Sequence, residues 1–168
     1  MEVLKSRTVL NHISAFCKED FAIELPYLWI WNPEGIPPHM GLSVDGRYFS
    51  LKANGLDFNS NLLDLLELIS RKKLPVLAVE LKLPLKSKDC ELEFAKFEKT
   101  VPHKITCLNP IKNVLSFPGA TKLSELLMKL DDEELLGTII SWNIGKETIE
   151  LAEYSTEDIH NHLVSLSK

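Results

Sequence analysis

The sequence predicts an α+β domain in which a mostly antiparallel sheet packs against helices. The first sign is a hairpin: Asp45-Gly46 separates two alternating runs, His39–Val44 and Arg47–Leu51, and Asp-Gly in that setting is the strongest short-range hairpin signal. Secondly, helical and strand-like segments interleave without the regular βαβ rhythm of a doubly wound parallel sheet. Thirdly, 168 residues with 45% hydrophobic and 26% charged side chains suit one domain, residues 1–168, with a sizeable core.

Element by element, Val3, Leu4, Leu10, Ile13 and Phe16 recur at near-helical spacing and predict an amphipathic helix over Val3–Cys17. Tyr27–Trp31 is aromatic and β-branched and reads as extended, ahead of the hairpin. Asn59 is positioned to cap a helix through Leu62, Leu63, Leu65, Leu66 and Ile69, with Lys72 and Lys73 at the negative end of its dipole. Pro75–Leu83 reads as a strand, Glu91–Lys99 as a short polar helix, and Ile105–Cys107 as an extended lead into a helix over Pro110–Leu115. Thr121 is the expected cap of a helix over Leu123–Leu130. Gly137–Trp142 and Thr148–Ala152 read as a terminal hairpin, and Ser155 with Asp158 forms a capping box for the last helix.

Charge and cysteine content narrow the function classes. With 19 basic and 24 acidic side chains the net charge is −5, which argues against a generic grip on nucleic acid or an anionic membrane. Three cysteines without close pairing do not make a disulfide framework and point to a reducing compartment. The amino terminus lacks the apolar run of a signal peptide, and no window approaches the roughly 18 apolar residues of a membrane span, so the expected location is cytoplasmic. No phosphate loop, dinucleotide fingerprint or HExxH pattern is present, and no cofactor or metal is expected.

Two places could carry chemistry. Alternation along the hairpin puts His39, Gly41, Ser43, Tyr48, Ser50 and Lys52 on one side and Met40, Leu42, Val44, Phe49 and Leu51 on the other. The first side reads as polar and the second as core. His39 and Ser50 are diagonal neighbours, so a hydroxyl or a water can orient the imidazole, while Gly41 leaves room for a close approach. The plainer alternative is a solvated face with an incidental histidine. Cys107 follows a strand-like segment at the start of a helix, where the dipole and a nearby imidazolium favour the thiolate. Its plainer alternative is a small buried hydrophobe.

The order PHMGLSVDGRYFSLKANGLDF, then a Leu-rich helix, a strand ending near Leu83 and TCLNPIKNVL before Pro118-Gly119, resembles the circularly permuted NlpC-type papain-like superfamily. That superfamily includes lecithin:retinol acyltransferase-like enzymes and YiiX-like proteins. Its histidine opens a hairpin as His-x-Gly-apolar, and the cysteine follows later at a helix start. The resemblance covers about half the chain, Pro38 to Gly119, and implies a papain-like α+β fold with Cys107 as nucleophile, His39 as general base and Ser50 as the polar residue that orients it. It implies a cysteine hydrolase, such as a peptidase or amidase, or a thiol acyltransferase, acting on a peptide, a protein conjugate or an acyl-containing substrate. Ser50 stands where relatives commonly carry His or an acidic residue, and Pro110 lies three residues after Cys107. Both features favour a rival reading, a catalytically inactive papain-like module that binds a protein partner.

Other candidates are weaker. Cys17 and His12, five residues apart, would lie about 140° apart on a helix. Cys90 reads as an exposed bystander thiol, His160 and His162 as surface residues on opposite sides of a helix, and His103 as roughly 13 Å from Cys107 in an extended chain. Trp29, Trp31 and Trp142 could line a groove, although packing is the default for such residues. The acidic run Asp131–Glu134 reads as a solvated helix entry.

Overall fold

A computed structural model describes residues 8–167. In chain order the elements are β1 (Val9–Leu10), β2 (Ile13–Ala15), a 3-10 turn at Lys18–Asp20, β3 (Tyr27–Trp31), β4 (His39–Val44), β5 (Arg47–Lys52) and β6 (Gly55–Asn61). They continue with α1 (Leu62–Lys72), β7 (Val76–Leu81), α2 (Ser87–Phe94), α3 (Leu108–Val114), α4 (Leu123–Asp132), β8 (Leu136–Trp142), β9 (Ile149–Glu150) and α5 (Thr156–Leu166). Seven strands form one sheet in the order β2-β8-β7-β3-β4-β5-β6, and β1 pairs with β9 separately. Only β2–β8 is parallel in the large sheet, so the α+β, mostly antiparallel architecture stands as the sequence predicts.

Both faces of this sheet are covered. Leu28, Ile30, Met40, Leu42, Phe49, Leu77 and Val79 pack beneath α2, α3, α4 and α5, whose Phe94, Ile111, Leu126 and Ile159 fill the same core. On the opposite face Tyr27, Trp29, Tyr48, Val76, Ala78 and Trp142 meet Leu62 and Ile69 of α1. Strand alternation therefore divides each central strand between two cores, as expected for a sheet with helices on both sides.

Several boundaries differ from the sequence reading. Residues 3–7 of the expected first helix lie outside the described residues, and the remainder forms β1 and β2, with His12 between them in the left-handed region at φ 58°. The apolar spacing there is compatible with a helix, but β8 and β9, more than a hundred positions downstream, capture the segment as strands. The terminal hairpin is likewise replaced: β8 pairs with β7 and β2, while β9 pairs with β1. Asn61 rather than Asn59 caps α1, its side chain accepting the Leu63 N–H at 3.0 Å, because Asn59 is still within β6. Lys122 occupies the cap position of α4, and Thr121 instead donates its hydroxyl to Glu125. The acidic run closes α4 rather than opening a helix. Ser155 and Asp158 do form the capping box of α5, with both reciprocal bonds present.

Candidate active site

The Asp45-Gly46 turn places both residues in the left-handed region, at φ 55° and 72°, the geometry of a two-residue type I′ hairpin. Leu42 pairs with Phe49, Ser43 with Tyr48 and Val44 with Arg47, the expected register. The side read as polar is not solvated: α1 covers it, and Ser43, Tyr48 and Ser50 are buried. Their polar atoms are consequently engaged. Trp29 donates its indole N–H to Ser43 Oγ at 2.7 Å, and Trp31 donates to Tyr48 Oη at 2.8 Å. The room beside Gly41 is filled by the Tyr48 ring, whose carbons would stand 2.6 Å from a Cβ added there.

Ser50 donates its hydroxyl hydrogen to Asp57 Oδ2 at 2.6 Å, directly across the β5–β6 pair. Asp57 is held in turn by Lys52 Nζ at 3.0 Å. His39 opens β4, and its Nε2 is buried with no hydrogen-bond partner. Burial pushes the imidazole well below its ordinary range, to about 4; the Asp57 charge opposes this and Lys52 adds to it.

Cys107 is the residue from which α3 starts, with φ −61° and ψ −20°, so it is helical rather than extended. A local ring fixes this start: Asn109 Oδ1 accepts the Thr106 N–H at 2.7 Å, and Thr106 Oγ1 accepts the Leu108 N–H at 3.2 Å. Pro110 falls in the first turn, where its missing N–H leaves no helical bond unmade. The Cys107 sulfur receives the backbone N–H groups of Met40 and of Cys107 itself, which favour thiolate, but burial outweighs them and pushes the thiol up to about 11.

No protein-family model, curated protein or solved structure matches the chain. The site therefore stands on its own geometry.

His39 and Cys107 line one cavity of about 440 Å³ at the open end of the β4–β5 hairpin. Pro37, Leu51, Ile159 and Leu163 make much of its wall apolar, and Lys52 and His162 bring polar groups to it. Two of the expected residues, His39 and Cys107, thus share the cavity, whereas Ser50 does not line it and is bonded to Asp57.

Other expectations change. Cys90 is buried rather than exposed, and burial raises its thiol to about 12. Cys17 is exposed and donates to Glu19 Oε2 at 3.1 Å. His160 and His162 are both used: His160 Nδ1 accepts the His103 backbone N–H at 2.8 Å, and His162 lines the cavity. Trp29 and Trp142 belong to the core beneath α1, with Trp31 packed against it, so they form no groove. Among the described residues no three His, Cys, Asp or Glu side chains gather as a metal site, and no helix is long and apolar enough to cross a membrane.

Asp57 escaped the sequence reading, and His162, which reads there as a surface residue, instead lines the cavity. For Asp57 a signal existed: Leu56 and Phe58 flank it in an alternating run that continues the hairpin as a third strand. For His162 none did, since only the docking of α5 brings it to the cavity.

Proposed function

We propose that the chain is a circularly permuted papain-like, NlpC-type cysteine hydrolase or acyltransferase. The observation that carries this is the convergence of Cys107 and His39 on one cavity, with the Cys107 sulfur on the N–H of Met40, the residue after His39. In the reaction His39 takes the thiol proton and Cys107 attacks an amide or ester carbonyl carbon, forming a C–S bond while the carbonyl electrons move to oxygen. Collapse of that adduct expels the amine or alcohol, which receives the proton from His39. Water or an acceptor hydroxyl or amine then attacks the thioester, loses its proton to His39, and releases the Cys107 thiolate for reprotonation. Backbone N–H groups near Cys107 would stabilise the oxyanion.

The substrates that fit this reading are peptides, protein conjugates or acyl esters. An apolar alkyl chloromethyl ketone, whose carbonyl resembles the reacting centre, tests it. Mass spectrometry should find Cys107 modified at least about tenfold faster than Cys17 or Cys90, with the advantage lost in His39→Ala. Equal modification of Cys107 and Cys17, or an unaffected His39→Ala protein, overturns the proposal.

A second reading draws on the resting electrostatics. With His39 near 4 and the Cys107 thiol near 11, both groups are neutral at pH 7, as a binding module that has kept the fold without catalysis would have them. The same labelling experiment separates the two readings.

A further inference from the structure

We propose that Asp57 is the positioning carboxylate of His39, acting through Ser50, and that Lys52 restrains it. The inference rests on the reading of Cys107 and His39 as nucleophile and base.

Hydrogen-bond direction carries the argument. Trp31 donates to Tyr48 Oη, and Tyr48 and Ser50 are both buried on the same side of β5. Ser50 spends its single hydrogen on Asp57 Oδ2. With that hydrogen committed to Asp57, Ser50 can offer only lone-pair density to anything else. By strand alternation Ser50 lies on the same side of the hairpin as His39, beyond the last β4–β5 pair, Leu42–Phe49. A ring facing an acceptor there presents N–H, and the fixed tautomer leaves its other nitrogen unprotonated, as a base must be. The partnerless Nε2 of His39 is the group this arrangement is able to satisfy.

Charge acts in the same direction. Asp57 favours the imidazolium that forms when His39 takes the thiol proton, and Lys52, bridged to Asp57 at 3.0 Å, disfavours it. The titratable groups around His39 are Lys52 and Tyr48 on β5, Asp57 on β6, Cys107 at the start of α3 and His162 on α5. Of these, Asp57 supplies the negative charge at neutral pH. The carboxylate that the hairpin lacks at position 50 is therefore provided one strand further on.

Two substitutions with opposite expected signs test the role. Asp57→Asn should lower the His39 titration midpoint, read from its ring resonances by NMR, and slow Cys107 modification by the chloromethyl ketone by at least about threefold. Lys52→Met should raise the midpoint and accelerate modification by a similar factor. A merely structural bridge would make both variants move the same way, since each breaks the same ion pair. Same-direction shifts, or no shift in either variant while His39→Ala still abolishes labelling, overturn the role of Asp57. If labelling in the otherwise unaltered protein is indifferent to His39→Ala, the dyad itself falls and the positioning role falls with it.

Discussion

The Cys107 sulfur accepts the backbone N–H of Met40, one residue after His39. Paired residues of the β4–β5 ladder run from Val44–Arg47 to Leu42–Phe49, so Met40 lies beyond them at the splayed end of the hairpin. Its N–H is thereby left to the thiol. Main chain rather than side chain anchors the sulfur beside His39, so the anchor does not depend on which side chain stands at position 40.

Burial of a neutral His39 makes stability depend on acid. The folded imidazole stays unprotonated down to about 4, whereas an unfolded histidine takes a proton near 6.5. Between those values the unfolded chain binds more protons, so this contribution is complete above pH 6.5 and is lost as pH falls toward 4. It amounts to about 3 kcal/mol. Urea unfolding at pH 7, 5.5 and 4 should show the loss, and His39→Gln should flatten it.

Alkali should act on Cys107 in the opposite way. Its thiol ionises near 11 when folded and near 9 when free. In the resting protein, iodoacetamide modification of Cys107 should keep rising with pH from 7 to 10 without a plateau. A plateau beginning below pH 8 would instead mean a preformed thiolate–imidazolium pair.

Gly41→Ala drives a methyl group into the Tyr48 ring, which is buried and bonded to Trp31. Neither ring nor backbone can move freely there. A loss of about 1–3 kcal/mol by chemical denaturation is expected, with Tyr48→Phe costing a similar amount by leaving the Trp31 N–H without its acceptor.

His160→Phe removes the acceptor of the His103 N–H, the side-chain hydrogen bond that ties the body of α5 to the 101–106 segment. Hydrogen exchange should quicken across Thr156–Leu166 and leave β3 and β7 unchanged. Uniform change across the protein would show that α5 is not separately held.

Asn61→Ala should cost about 0.5–2 kcal/mol as the loss of a helix cap. The same substitution at Asn59 is expected to relieve a left-handed residue at φ 53° of nothing it needs in a cap, and should leave α1 intact by circular dichroism.

The difference between Asn59 and Asn61 illustrates how far local sequence reaches. Both are good capping residues, and the choice was made by β6 running on to Asn61 against β5, a pairing that a capping rule does not see. The Asp45-Gly46 hairpin, by contrast, is specified by its own turn and alternation, and the three pairs nearest the turn form as alternation predicts, while the expected Gly41–Ser50 and Met40–Leu51 pairs are not part of the ladder. What alternation left open was the nature of the second face. Gly41, Ser43 and Ser50 look solvated until α1 is laid over them, since small polar side chains satisfied by Trp29 and Asp57 are compatible with burial. The candidate site divides in the same way. His39 and Ser50 belong to one local hairpin, whereas Asp57 needed the third strand and His162 needed the docking of the last helix.

The pairing of Ile13 with Ile139 joins positions 126 apart (139 − 13 = 126). Closing so long a loop is entropically slow compared with zipping β4, β5 and β6, whose partners are neighbours in the chain. Folding is therefore expected to reach a stage in which the His39 hairpin is already formed while β2 is still undocked, so the order of assembly runs outward from the strand that bears the base.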